Sequence, residues 1–272
     1  MGKLVFWVGV LLLLSQLFAS LKQKTEEQVL TDRALSAEDL LLSEALQKIP
    51  AEEAQQGPRP GEVEIIARGK RVGESQLHTL LGLENKRSAF FTYKFYGVEN
   101  ATASAMGVDK KHHFVNAYLE GYSPFETDNV FIPLSVLARR KTYMLDNLNY
   151  GAEEIWQTSK QAHVFTRGDC EDHAIALADW LIAMGEDARV ALGRYQGGGH
   201  AWVVLIKDNK EYILEATKKQ GLGVKRFPLA VAMPDYQPEY QFNRTQFWHN
   251  VGSPAITQYR SAQWLEKSRF LR

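Results

Sequence analysis

Cysteine is almost absent: Cys170 is the only one in 272 residues. A single thiol can form no intramolecular disulfide and no thiolate zinc cluster, so Cys170 is either inert packing or a chemically used group. Charge imbalance is absent too. Thirty-two Lys and Arg stand against 32 Asp and Glu, which leaves no overall field to draw in nucleic acid. Nucleic acid is therefore excluded as an expected partner. Internal repeats and low-complexity tracts are also missing, which removes solenoid and tract-driven architectures. What the chain does have is apolar material, 45% of residues with 11% aromatic, enough for a sizeable core in one or two domains.

The one long hydrophobic run lies at the start. From Leu4 to Leu21 it is broken only by Gly9, Ser15, Gln16 and Ser20, and its length suits a bilayer crossing. A cleaved signal needs small residues one and three positions before the cut, whereas Ala19 is paired with Leu17 and Ser20 with Phe18. Residues 1–24 thus read as a signal anchor in preference to a signal peptide, and on either reading the remainder is exported. Residues 25–61 follow as stalk and linker. Ser36 and Asp39 resemble a capping box, and Leu42, Ala45, Leu46 and Ile49 recur at helical spacing until Pro50, giving a short amphipathic helix that is a stalk or a partner-binding element. Gly57, Pro58 and Pro60 mark the linker, so a single folded domain is expected over residues 62–272.

Within that domain, Glu62 to Ile66 and Ala89 to Tyr96 read as strands. His112 and His113, beside Lys110 and Lys111, read as a solvated turn. Val130, Ile132 and Leu134 alternate around Pro133, and Leu137, Met144, Leu145 and Leu148 then recur at a spacing read as helical.

Chemistry concentrates in residues 156–217. Gly168-Asp169-Cys170-Glu171-Asp172 leads into Ala174, Leu177, Ala178 and Leu181, an i, i+3, i+4, i+7 stripe. Cys170 therefore stands at a helix N-terminus with Asp169 as the expected N-cap, where free amides and the helix dipole favour a thiolate. Three acids around the thiol oppose this by like-charge repulsion, and a divalent cation held by hard oxygen ligands would remove the conflict. The alternative is that the acids merely suit a helix start. Further on, Gly197-Gly198-Gly199-His200-Ala201-Trp202 precedes Val203, Val204, Leu205 and Ile206, a central strand entered from an open loop. Asp208, Asn209 and Lys210 supply the turn, and the return strand carries Glu215. With a two-residue loop, His200 and Glu215 share a face, because strand faces alternate with period two. A thiol at a helix start, an imidazole to take its proton and a carboxylate to orient that imidazole are the parts of nucleophilic catalysis.

These residues resemble the transglutaminase-like superfamily. In particular, Gly168 to Asp172 with Gly199-His200-Ala201-Trp202 is similar to the bacterial transglutaminase-like cysteine proteinases. The resemblance implies an α+β, papain-like core with the cysteine-bearing helix packed on an antiparallel sheet. It implies Cys170 as nucleophile, His200 as general base and then acid, Glu215 as third triad member where Asp is usual, and Asp169 and Glu171 as calcium ligands. Ile155-Trp156-Gln157-Thr158 matches the family's tryptophan helix, with Trp156 and Gln157 as wall or oxyanion donors, while Ser159 and Gln161 stand where Pro and an acid are common. The implied activity is hydrolysis of a protein or peptide amide through a thioester. Amine transfer by the same triad, or an inactive binding module, are the alternatives. The expected location is membrane-anchored with the catalytic domain in the periplasm, and Met233 to Trp248 is read as a lid or as an extended segment packed across the domain.

Overall fold

Strands form where apolar residues alternate: in β1 (Glu62–Ile65), Val63 and Ile65 are buried and Glu64 is not. The computed structural model describes residues 55–82, 87–218 and 227–272, all within one compact unit, Ala45–Arg272. Residues 1–54, which hold the expected anchor and most of the stalk, lie outside the described residues. No helix among the described residues is long and apolar enough to cross a membrane.

After β1 the chain forms β2 (Lys70–Gly73), helix α1 (Glu74–Leu81), β3 (Phe90–Phe95), β4 (Val98–Met106) and β5 (His112–Phe114). Then come α2 (Phe131–Arg140), β6 (Thr142–Tyr143), α3 (Asp146–Asn149), α4 (Ser159–Val164), β7 (Arg167–Gly168) and α5 (Cys170–Ala183). Six strands follow: β8 (Asp187–Tyr195), β9 (Gly198–Lys207), β10 (Lys210–Leu214), β11 (Tyr236–Phe242), β12 (Gln246–Asn250) and β13 (Trp264–Leu271), with a short 3-10 turn at Ala230–Ala232. Eight strands make one antiparallel sheet in the order β10-β9-β8-β11-β12-β13-β1-β2, and β3-β4-β5 make a second.

The α+β reading holds. Helix α5 lays Ala174, Leu177, Ala178 and Leu181 against Ala188, Val190, Val203 and Leu205 of the large sheet. Trp202, Val204 and Ile206 bury the opposite face of β9 with Tyr236, Trp248 and Tyr259, which is why β9 reads as a continuous apolar run. Each large side chain on the α5 stripe contributes about 1.5–3 kcal/mol by burial, so the helix that carries Cys170 is fixed by its packing.

One local reading is sharpened and one corrected. Ile132 and Leu134, which alternate around Pro133, belong to the helix: α2 begins at Phe131, and proline is tolerated in a first turn because its missing N–H has no intrahelical partner there. His112 and His113 are not a solvated turn. Both are buried in β5, where the His113 ring lies between Asp109 (2.9 Å) and Glu74 (3.4 Å). Burial alone would lower the His113 pKa, but these two carboxylates raise it to about 9.

Candidate active site

Cys170 is the first residue of α5, with Asp169 at the cap position. The Asp169 side chain makes no cap hydrogen bond, however, so the expected capping bond does not form. His173 is the first residue to complete a backbone bond back to Asp169 (3.3 Å), which leaves the preceding first-turn amides without a helical acceptor. The half-buried thiol donates toward Glu171 Oε2 at 3.4 Å. Burial and the neighbouring Asp169 push Cys170 up to about 12, against the Ala201 backbone amide and the Glu171 hydrogen bond, which act downward. The helix start alone does not make this thiol a thiolate.

The acids explain why. Asp169, Glu171 and Asp172 are all buried, and burial raises the pKa of each. Asp146 joins them from α3: ligand oxygens of Asp146, Asp169 and Asp172 lie within 4.8 Å of one another, as do ligand atoms of Asp169, Cys170 and Glu171. Asp146 is raised to about 8, by burial first and by Asp169 second. Among the described residues, Asp146 Oδ1, Asp169 Oδ1, Glu171 Oε1 and Asp172 Oδ2 have no hydrogen-bond partner. Orphaned buried carboxylate oxygens in two groups that share Asp169 suit a hard divalent cation. The positive group already present is Lys141, fully buried, whose Nζ donates to Gln157 Oε1 (2.7 Å) and to the carbonyls of Ala162, Phe165 and Arg167 (3.0–3.1 Å). Gly168 permits this approach, since a Cβ there would overlap the Asp172 carboxylate and touch the Lys141 stem.

The other side of the site is a hairpin. Lys207 pairs with Lys210 across a two-residue turn of Asp208 and Asn209, both with positive φ, the geometry that matches strand twist. Continuing the register past Leu214 sets Glu215 two residues from direct opposition to His200, on the same face. The side chains meet: His200 Nε2 and Glu215 Oε2 are 2.7 Å apart, which leaves Nδ1 as the ring nitrogen for other work. Burial would raise the Glu215 carboxyl, but its bonds to His200 and Thr217 hold it below the usual carboxylate range. The β9 entrance is tighter than expected, a two-residue Gln196-Gly197 turn with Gly198 and Gly199 already in the strand.

Both sides open into one cleft of about 400 Å³. Cys170, Asp169, Glu171, Gly199, His200 and Ala201 line it, with Phe90, Tyr143, Trp156, Leu192, Glu239 and Tyr240 as walls and Gly193 beside His200. Residues 154–265 match the family model described as the CEP76 peptidase-like domain. By that match this segment is similar to a peptidase-like domain. The chain is also similar to solved structures of LapG from Legionella pneumophila: 23% identity over 46% of this chain and 68% of that one, TM-score 0.37. The calcium-bound form gives 21% over 50% and 77%, TM-score 0.37, and the EGTA-treated form 22% over 51% and 72%, TM-score 0.38. No curated protein matches the chain.

Other residues of this region fall differently from the sequence reading. Gln157 does not face the cleft: its amide donates to Tyr150 Oη and the Arg167 carbonyl, its oxygen accepts from Lys141, and its backbone N–H bonds Asp172 Oδ1. Trp156 is both wall and core, stacked on Phe90 and Phe242, with its indole N–H on Glu154 (2.7 Å). Gln161 completes a capping box with Thr158 and bonds the Gln56 carbonyl. Met233 to Trp248 is not a lid over the cleft; it supplies β11 and β12, in the middle of the large sheet. Asp146 and Lys141 escaped the sequence reading, since neither has a spacing signal relative to Cys170.

Proposed function

We propose that the chain hydrolyses a protein or peptide amide through Cys170, His200 and Glu215, by way of a thioester. The observation that carries this is the 2.7 Å His200–Glu215 bond in the wall of a cleft that also holds the chain's only thiol. Glu215 fixes the imidazole through Nε2 and steadies its protonated form, which presents Nδ1 to the thiol. The thiolate attacks the amide carbonyl, the first-turn amides of α5 stabilise the oxyanion, and His200 returns its proton to the departing amine. Water then resolves the thioester with His200 as base.

Asp169, Glu171, Asp172 and Asp146 would hold calcium. A bound dication supplies the positive charge that lets the thiol ionise among carboxylates. Glu171, whose carboxylate now accepts from the thiol, would be one of the residues that hold it. The oxygen-only donor set favours calcium over zinc, which would take the thiolate itself. Export and anchoring through Leu4–Leu21, with the peptidase domain in the periplasm, belong to the same reading.

The test is incubation of the chain with protein and peptide substrates, with and without calcium, with products read by mass spectrometry. Water-derived carboxyl termini and a thioester trapped on Cys170 are the expected result. Incorporation of an added primary amine in place of water would make the enzyme a transferase. Unchanged substrate with an unlabelled Cys170 would overturn the reading.

A further inference from the structure

The hairpin carboxylate is held at both of its oxygens. Glu215 Oε1 accepts from the Thr217 hydroxyl (2.6 Å) and the Thr217 amide (3.3 Å). Oε2, the oxygen bonded to His200, also accepts from Tyr236 Oη at 3.2 Å. The Tyr236 hydroxyl is itself oriented. Lys218 Nζ lies 3.4 Å from that oxygen and 3.3 Å from Tyr195 Oη, and an ammonium can only donate, so the phenolic proton is left for the carboxylate. The Tyr236 ring is buried and stacks on Tyr195 at 4.4 Å, with Trp202 edge-on at 5.1 Å, and the Trp202 indole N–H is anchored on Tyr259 (3.0 Å).

From this geometry we infer that Tyr236 and Thr217 are positioning residues for the reaction: together they clamp Glu215 so that a side chain one methylene longer than aspartate presents a single fixed oxygen to His200. Glutamate has an extra rotatable bond, and a free carboxylate at its end would sample several positions. Donors on both oxygens remove that freedom, and Tyr236 comes from β11, distant in sequence from the hairpin it steadies. Neither residue touches the cleft, so their effect reaches the substrate through Glu215 and His200 alone.

The inference rests on the hydrolase reading for its kinetic consequence but not for its physical one, so two measurements are made. Tyr236→Phe keeps the stacked ring and removes the donor. Its kcat should fall roughly tenfold, the size expected for one hydrogen bond to a charged acceptor, while KM stays within about twofold. In the Glu215→Gln background the same change should cost less than about twofold, because the coupled partner is already altered. In the resting protein, labelled at histidine and assigned by the signal lost in His200→Ala, the His200 titration should move to higher pH in Tyr236→Phe, since the carboxylate loses a donor and holds the imidazolium more tightly. Thr217→Val should produce the same signature through Oε1. An equal loss of kcat in both Glu215 backgrounds would show a merely structural role and overturn the inference, as would unshifted titrations. A shifted titration in a protein that turns nothing over would sink the hydrolase reading and leave the clamp standing.

Discussion

The two sides of the cleft differ in how completely their polar groups are satisfied. On the hairpin side, both Glu215 oxygens accept hydrogen bonds and His200 has its partner at 2.7 Å. On the helix side, four buried carboxylate oxygens have no partner among the described residues, and the thiol is pushed up to about 12. The hairpin side is satisfied by the chain's own residues. The helix side gathers buried acids around the thiol, with Lys141 as the buried cation beside them. The difference places the control of the proposed reaction on the helix side: on that reading, whatever neutralises the acids lets the thiol ionise.

Four experiments would break or sharpen that contrast. The largest effect is expected from Cys170→Ala, which should lower kcat by about 10⁴-fold or more without loss of the folded circular dichroism signal; substantial residual turnover would place the chemistry elsewhere. Next, excess chelator should silence the wild-type enzyme and calcium restore it, with a matching rise in Tm on calcium addition. Asp169→Asn should raise the half-saturating calcium concentration by about tenfold or more, since ligand charge sets affinity. Equal activity of both proteins in chelator would make the acids a helix start and nothing further. Third, Glu215→Gln should cost about 10–100-fold and His200→Ala more, because the first keeps a hydrogen-bonding orienter and the second removes the proton carrier.

The smallest effect concerns pH. The folded chain keeps a proton on Asp146 up to about 8, where an unperturbed carboxyl has lost it above 3.8, so folding weakens as pH rises toward 8. His163 and His173, at about 3 and about 4, oppose this only until the unfolded imidazoles have lost their protons, by about pH 7.5. His113, at about 9, acts in the same direction. In chelator the Tm should therefore fall between pH 6.5 and 8, and Asp146→Asn should reduce that fall by about 2–4 °C. Parallel melting profiles for the two proteins would show that Asp146 is no part of the acidic half.

What the sequence made legible follows the same division. The helix start at Cys170 and the meeting of His200 with Glu215 rest on short-range periodicity, 3.6 on α5 and 2 across a two-residue turn, and both appear in the structure. Asp169 stands at the expected cap position, but only the structure shows that its side chain makes no capping bond. Asp146, Lys141 and Tyr236 are 24 and 29 residues before Cys170 and 66 after it. Their arrival at the site depends on how α2, α3 and β11 pack, which no local spacing encodes. The same holds for Met233 to Trp248, whose aromatic and polar mixture suits a lid as well as a strand until β8 is seen beside it.

Gly193 carries a consequence for how this enzyme could diversify. It faces His200 across the β8–β9 pairing and lines the cleft, and any Cβ there would overlap the Gln237 carbonyl of β11. Backbone from a neighbouring strand cannot step aside as a side chain can, so no ordinary amino acid is admissible at this position. A lineage under pressure to accept a different substrate has one wall of the cleft frozen. Its accessible mutations are on the facing surfaces, at Phe90, Tyr143, Glu153, Glu239 and Tyr240, and descendants with altered selectivity should differ there while position 193 stays glycine.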